Sequence, residues 1–141
     1  MADPEKNADF FEDYSALMLD VATLSKNEDN PFFKSSYVPL KDVLAESKRV
    51  CLSHNFIFIQ VPDVINDKPV LKTLLEHISG EARISTMPLV AKDPNDPQKV
   101  GGALTYMRRY SLTSILGIME EDDDGNKASD NKPKKLTNEP F

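Results

Sequence analysis

A single cysteine, Cys51, stands among 141 residues, so no disulfide can form within the chain. The first nine residues are acidic and polar and carry no apolar segment of the kind that directs secretion. Together these point to a reducing cytoplasm as the expected location. No run approaches the ~18 consecutive apolar residues of a membrane helix, so no membrane association is expected. The phosphate-cradling pattern G-x-x-x-x-G-K-[ST] is absent, and Gly101-Gly102 alone does not replace it, which excludes a loop of the ATPase type. The two histidines, His54 and His77, have no cysteine at ligand spacing, so neither a zinc site nor any other cofactor is expected. No Ser-His-Asp spacing and no paired carboxylates point to hydrolysis, and the chain is not expected to be an enzyme. His77 reads as a residue capping the core rather than a general base, and Cys51 as a core residue on an apolar helix face.

Positive charge is also scarce, with 17 basic against 23 acidic residues, a net of −6. Its distribution matters more than its sum. Residues 1–20 carry six acids against Lys6, and residues 119–141 carry seven acids against four lysines. Removing those net charges of −5 and −3 leaves +2 for residues 21–118. Steering depends on local fields, so the overall acidity does not exclude a polyanionic ligand. Apolar residues make up 40%, enough for one core.

Phe10, Tyr14, Leu17, Met18, Val21 and Leu24 recur at helical spacing and predict an amphipathic helix over 9–25. A polar break ending in Pro31 follows, then a short segment with Phe32, Phe33, Lys34 and Tyr37. Residues 40–53 predict a second helix with Val43, Leu44, Ser47, Val50 and Cys51 on one face. The run FIFIQV at 56–61 reads as a buried strand, closed by Pro62 and the polar stretch to Pro69. Residues 70–90 read as a hairpin about Ser79-Gly80, with His77 opposite Ala82, Leu75 opposite Ile84 and Thr73 opposite Thr86. That register places Lys72 and Arg83 together on the face away from the core, with Glu76 beside Arg83. A loop over 92–99, a hinge at Gly101-Gly102 and a helix over 103–119 complete the pattern. The expected class is α+β, an antiparallel sheet or hairpin backed by a long helix. The expected division is a folded domain over 1–118 and an acidic disordered tail over 119–141.

The last helix carries the chemistry. Leu104, Met107, Leu112, Ile115, Leu116, Ile118 and Met119 form a broad apolar face, with Tyr106, Arg109 and Thr113 opposite. Arg108 projects near the middle of the apolar face, where an unpaired charge is costly. It either pairs with an acid such as Glu76 or Glu81 or points past the core edge into a groove that meets phosphate. A planar guanidinium suits both.

Gly102-Ala103-Leu104-Thr105-Tyr106-Met107-Arg108-Arg109-Tyr110, followed by Leu116-Gly117-Ile118 and the acidic residues 121–125, resembles the signature of the ERF family of phage single-strand annealing proteins. Asn30-Pro31-Phe32 with Lys34, Tyr37 and Leu40 to Val43 is similar to that family's early segment, and Thr73, Leu75, His77, Ser79, Gly80 and Glu81 to its hairpin motif. The resemblance covers roughly residues 14–126, departing at Met107 and at Ala82-Arg83. It implies an ATP-independent recombinase that coats single-stranded DNA as an oligomeric ring or filament and anneals complementary strands. The implied fold is an antiparallel sheet backed by a long helix.

Annealing binds the backbone and leaves base edges free, so basic residues should track phosphate. The DNA-binding candidates are Arg108, Arg109, Lys72, Arg83, Lys92 and Lys34, with Tyr106 to stack on bases or sugars. Tyr110 reads as a packing residue and Lys99 as a loop charge. The alternatives are an accessory single-strand-binding protein without annealing activity and a nuclease holding a metal at Asp122 to Asp124. Glu120, Asp122, Asp124 and Gly125 mimic half of a calcium loop, but Glu at its first position and Asn131 at its twelfth break the match. The acidic stretch reads as a solvated tail, with competition against DNA for the basic residues as the alternative role. Asn138-Glu139-Pro140-Phe141 resembles the acidic tip of bacterial single-strand-binding proteins, making Pro140 and Phe141 candidates for docking on host single-strand-binding or replication proteins.

Overall fold

The computed structural model describes residues 8–26, 28–30 and 35–121. Helix α1, Phe10–Asp20, begins at Asp9, whose carboxylate accepts from the Glu12 N–H at 3.1 Å. It is shorter than the expected 9–25 because competing partners extend the chain after Asp20. The Ala22 N–H donates to the Glu46 carboxylate at 2.7 Å, and Leu24 pairs in parallel with Glu120. Two short strands, β1 (Glu28–Asn30) and β2 (Ser35–Tyr37), pair antiparallel where no strand was expected. Phe32, Phe33 and Lys34 lie outside the described residues.

Helix α2, Leu40–Ser53, has the expected bounds and buries Val43, Ser47, Val50 and Cys51. Strand β3, Phe56–Ile65, runs four residues beyond the expected end, through Pro62. It then turns at Asn66-Asp67, whose φ values of 52° and 65° suit a two-residue hairpin, into β4 (Lys68–His77). Pro62 is tolerated because β3 is an edge strand of the order β3-β4-β5. The expectation of a buried strand is corrected as well. Phe56 is buried, whereas Ile57, Ile59 and Val61 are exposed, so the strand is covered on one face only.

Strand β5, Ala82–Pro88, pairs with β4 one residue out of the expected register: Glu76 faces Ala82, Leu75 faces Arg83 and Leu74 faces Ile84. The His77 N–H donates to the Glu81 carbonyl, so three residues, Ile78 to Gly80, form the turn instead of two. Leu71, Thr73, Leu75 and His77 face the core as expected. A one-residue slip reverses a strand's faces, so Arg83 moves to the helix side and Lys72 stays on the outer side. The expected meeting of Lys72 with Arg83 does not occur.

Helix α3, Pro97–Leu116, starts six residues before the expected point. The Asp96 carboxylate accepts from the Gln98 N–H at 2.9 Å and Pro97 occupies the first turn, so Gly101-Gly102 lies inside the helix and is not a hinge. The helix ends at Gly117, whose φ of 70° suits a residue without a side chain. Phe10, Leu17, Val43, Val50, Phe56, Leu75, Leu112 and Leu116 form one cluster, so all three helices cover the same face of the sheet. The other face leaves Ile57, Ile59, Val61 and Ile84 bare. The architecture is the expected α+β, a three-stranded antiparallel sheet backed by helices.

Candidate nucleic-acid interface

The neighbouring arginines of α3 have different surroundings. The Arg108 Nε donates to the Gln60 side-chain oxygen at 3.3 Å. Gln60 in turn donates to the Thr73 hydroxyl at 3.0 Å and to the Arg108 carbonyl at 3.2 Å. An amide thus aims the guanidinium, and no ion pair forms to it among the described residues. The acids named as its alternative partners are elsewhere: Glu81 holds Arg83 at 3.1 Å, and Glu76 is on the outer sheet face. Arg108 and Lys48 line an open groove of about 380 Å³ between α2, β3 and α3.

Arg109 was expected on the exposed side, yet its side chain is only 11% exposed. The guanidinium carbon lies 5.0, 5.5 and 5.2 Å from the ring centroids of Tyr37, Tyr106 and Tyr110. Three ring faces offset part of its lost hydration. Its Nε is buried without a hydrogen bond and stands 3.9 Å from a Glu120 carboxylate oxygen. The Tyr106 and Tyr110 rings meet at a tilt of 46° with centroids 4.4 Å apart, and both remain partly open to solvent. The hydrogen bond between their hydroxyls, then burial, holds the Tyr106 phenol above its ordinary range.

The other candidates do not join these two. Lys72 lies on the outer sheet face and pairs with Asp63 at 3.2 Å. Arg83 sits 4.3 Å over the Phe10 ring and pairs with Glu81. Lys92 is an exposed charge on the loop before α3. Lys34, Pro140 and Phe141 lie outside the described residues. The structure therefore gathers Arg108, Arg109 and Tyr106 on one helix and leaves the sheet cations neutralised or separate.

The sequence model of the ERF superfamily matches residues 10–140, which spans every described element from α1 to α3. The chain belongs to the ERF family. Neither a curated protein nor a solved structure gives a significant match. Membership in the ERF family supports, at the family level, a part in phage recombination and single-strand annealing.

Within this ERF-family domain, His77 joins a hydrogen-bonded chain that sequence spacing did not reveal. Its Nε2 lies 2.7 Å from Asp13, its Nδ1 lies 2.8 Å from the Ser79 hydroxyl, and Asn55 donates to Asp13 at 3.0 Å. The order resembles a hydrolytic triad, but the N–H groups of residues 78–81 are all engaged, leaving none to stabilise an oxyanion. The chain instead fastens α1 to the β4–β5 turn. Hydrogen bonds from Asn55 and then His77 hold the Asp13 carboxyl below its ordinary value of 3.8. A depressed carboxylate stabilises the fold above that value and loses its contribution as pH falls through the folded-state value. Urea midpoints should therefore drop below about pH 4, and Asp13→Asn should flatten that decline; an unchanged slope would remove Asp13 as a cause.

Lys48 and Gln60 are site residues that sequence reading missed. A solvent-side lysine on α2 carries no signal that it borders a groove. Gln60 did carry one: it shares strand parity with Phe56 and Phe58 and so faces the helices. Burial pushes the Cys51 thiol up to about 12, consistent with its packing role. Among the described residues no group of three His, Cys, Asp or Glu side chains is placed to hold a metal. Asp122 to Asp124, on which the nuclease alternative rests, lie outside them.

Proposed function

We propose that the chain binds single-stranded DNA along α3 and anneals complementary strands without ATP, working as an oligomer. The observation that carries this reading is Arg108, whose guanidinium is aimed by the Gln60 amide and makes no ion pair among the described residues. The Arg108 charge, left without a carboxylate partner among the described residues, remains available to phosphate, in contrast to Lys72 and Arg83. Tyr106, about half exposed and packed at a tilt against Tyr110, supplies a sequence-tolerant ring surface on the same helix. The middle of the chain carries a net charge of only +2, so affinity per protomer is modest and salt-sensitive. Assembly would place many copies of α3 along one strand and compensate through avidity. The bare sheet face of Ile57, Ile59, Val61 and Ile84 supports that part of the reading.

The test is fluorescence-detected pairing of complementary oligonucleotides without nucleotide or Mg²⁺, with strand integrity checked when Mg²⁺ is added. Acceleration with intact strands is expected, and strand cleavage would favour the nuclease. Arg108→Ala should weaken single-strand binding and reduce the slope of log affinity against log salt by about one. Unchanged affinity at low salt would remove Arg108 from the interface.

A further inference from the structure

The groove beneath Arg108 has a composition that phosphate binding alone does not explain. Its walls are apolar, formed by Leu44, Leu52, Ile57 and Phe58, while Lys48 from α2 and Arg108 from α3 supply two cations. Neither cation makes an ion pair among the described residues. A purely apolar occupant would desolvate two charges without compensation. A bare phosphate would leave the apolar walls uncovered. A ligand joining a flat apolar body to an anion satisfies both, and about 380 Å³ lies within the range of small-ligand sites. Phe58, half-buried against the core, provides an aromatic wall for such a body.

We infer that this groove captures one unstacked base of the bound strand, with the adjoining phosphate on Arg108 and Lys48. The inference rests on the reading of the chain as a single-strand binder and adds a base-holding subsite to it. A base in the groove is withheld from pairing, while its neighbours keep their edges free. A complementary strand competes for that base, so pairing empties the groove and loosens the protein's hold on the duplex. Discrimination between single strand and duplex then comes from the groove, which a stacked, paired base cannot enter without being extruded.

The test compares an oligothymidylate with the same strand bearing abasic sites, titrated against the full chain by fluorescence anisotropy. Base removal is expected to weaken binding about 5- to 150-fold. Leu52→Trp fills the groove from a side chain that is 70% exposed in the native protein, so the fold should survive, as circular dichroism would verify. This variant should bind the intact strand more weakly and the abasic strand as the native protein does. Lys48→Glu should weaken both. If Leu52→Trp binds both strands like the native protein while Arg108→Ala still binds them weakly, the base-holding groove is overturned and the single-strand reading stands. If the native protein binds neither strand, both readings fall. A labelled peptide of residues 136–141 that binds the native protein and not Leu52→Trp, with DNA binding unaffected, would overturn the inference in favour of a peptide site.

Discussion

Phe56→Ala is expected to remove a large share of the folding stability, while Ile57→Ala, its immediate neighbour, should cost less than about 1 kcal/mol. Phe56 is 1% exposed and its ring meets those of Phe10, Tyr14 and His77 at centroid distances of 5.3, 6.2 and 4.8 Å. Removing it vacates the junction between α1, the start of β3 and the end of β4. Truncation of a buried phenylalanine costs roughly 3–5 kcal/mol, against a total of about 5–15 kcal/mol for a typical domain. Ile57 points to the other face and is 49% exposed. Urea denaturation of the two variants checks the contrast. Equal losses would mean that something covers the outer face in solution, as the proposed oligomer would.

That contrast also marks where sequence reading stops. FIFIQV has apolar residues at both parities, and periodicity alone cannot separate a strand buried on two faces from one with a bare apolar face. The core parity of β4 was legible because Leu71, Thr73, Leu75 and His77 share a face whatever β5 does. The register of β5 was not, since it depends on whether the Ser79-Gly80 turn uses two residues or three. That single residue decided the fate of Arg83. The β3–β4 hairpin was hidden by Pro62, which an edge strand accepts, and by an Asn66-Asp67 turn whose chemistry points to a hairpin. Asp96-Pro97 is a helix start that takes precedence over the flexibility suggested by Gly101-Gly102. At the site, Arg108 was legible as an anomaly on an apolar face. Its alternatives were separable only once Glu76 and Glu81 had positions. The cage around Arg109 depends on Tyr37, brought from a distant segment, and no helical wheel of α3 can contain it.

Arg109→Ala is expected to impair both folding and DNA binding, a larger effect than its surface-like position on the α3 wheel suggests. The side chain fills the space between three tyrosine rings, so its loss removes packing as well as charge, on the order of 2 kcal/mol. Arg109→Lys keeps the charge but loses the planar contact with the rings. It should recover part of the affinity and less of the thermal stability. Glu120 separates the two roles. Its segment is fixed beside Leu24 by backbone hydrogen bonds from Leu24 N–H to the Met119 carbonyl at 2.8 Å and from Glu121 N–H to the Leu24 carbonyl at 2.7 Å. The Glu120 carboxylate therefore stays near Arg109 even though their 3.9 Å contact is loose. It offsets the charge that phosphate would meet, and the acids of the following residues extend the same sign. Glu120→Gln should tighten single-strand binding at low salt with little change in melting temperature, and deletion of residues 120–141 should tighten it further. If Glu120→Gln leaves affinity unchanged while Arg109→Ala lowers it only in step with the melting temperature, Arg109 holds the tyrosines together and does not meet the strand.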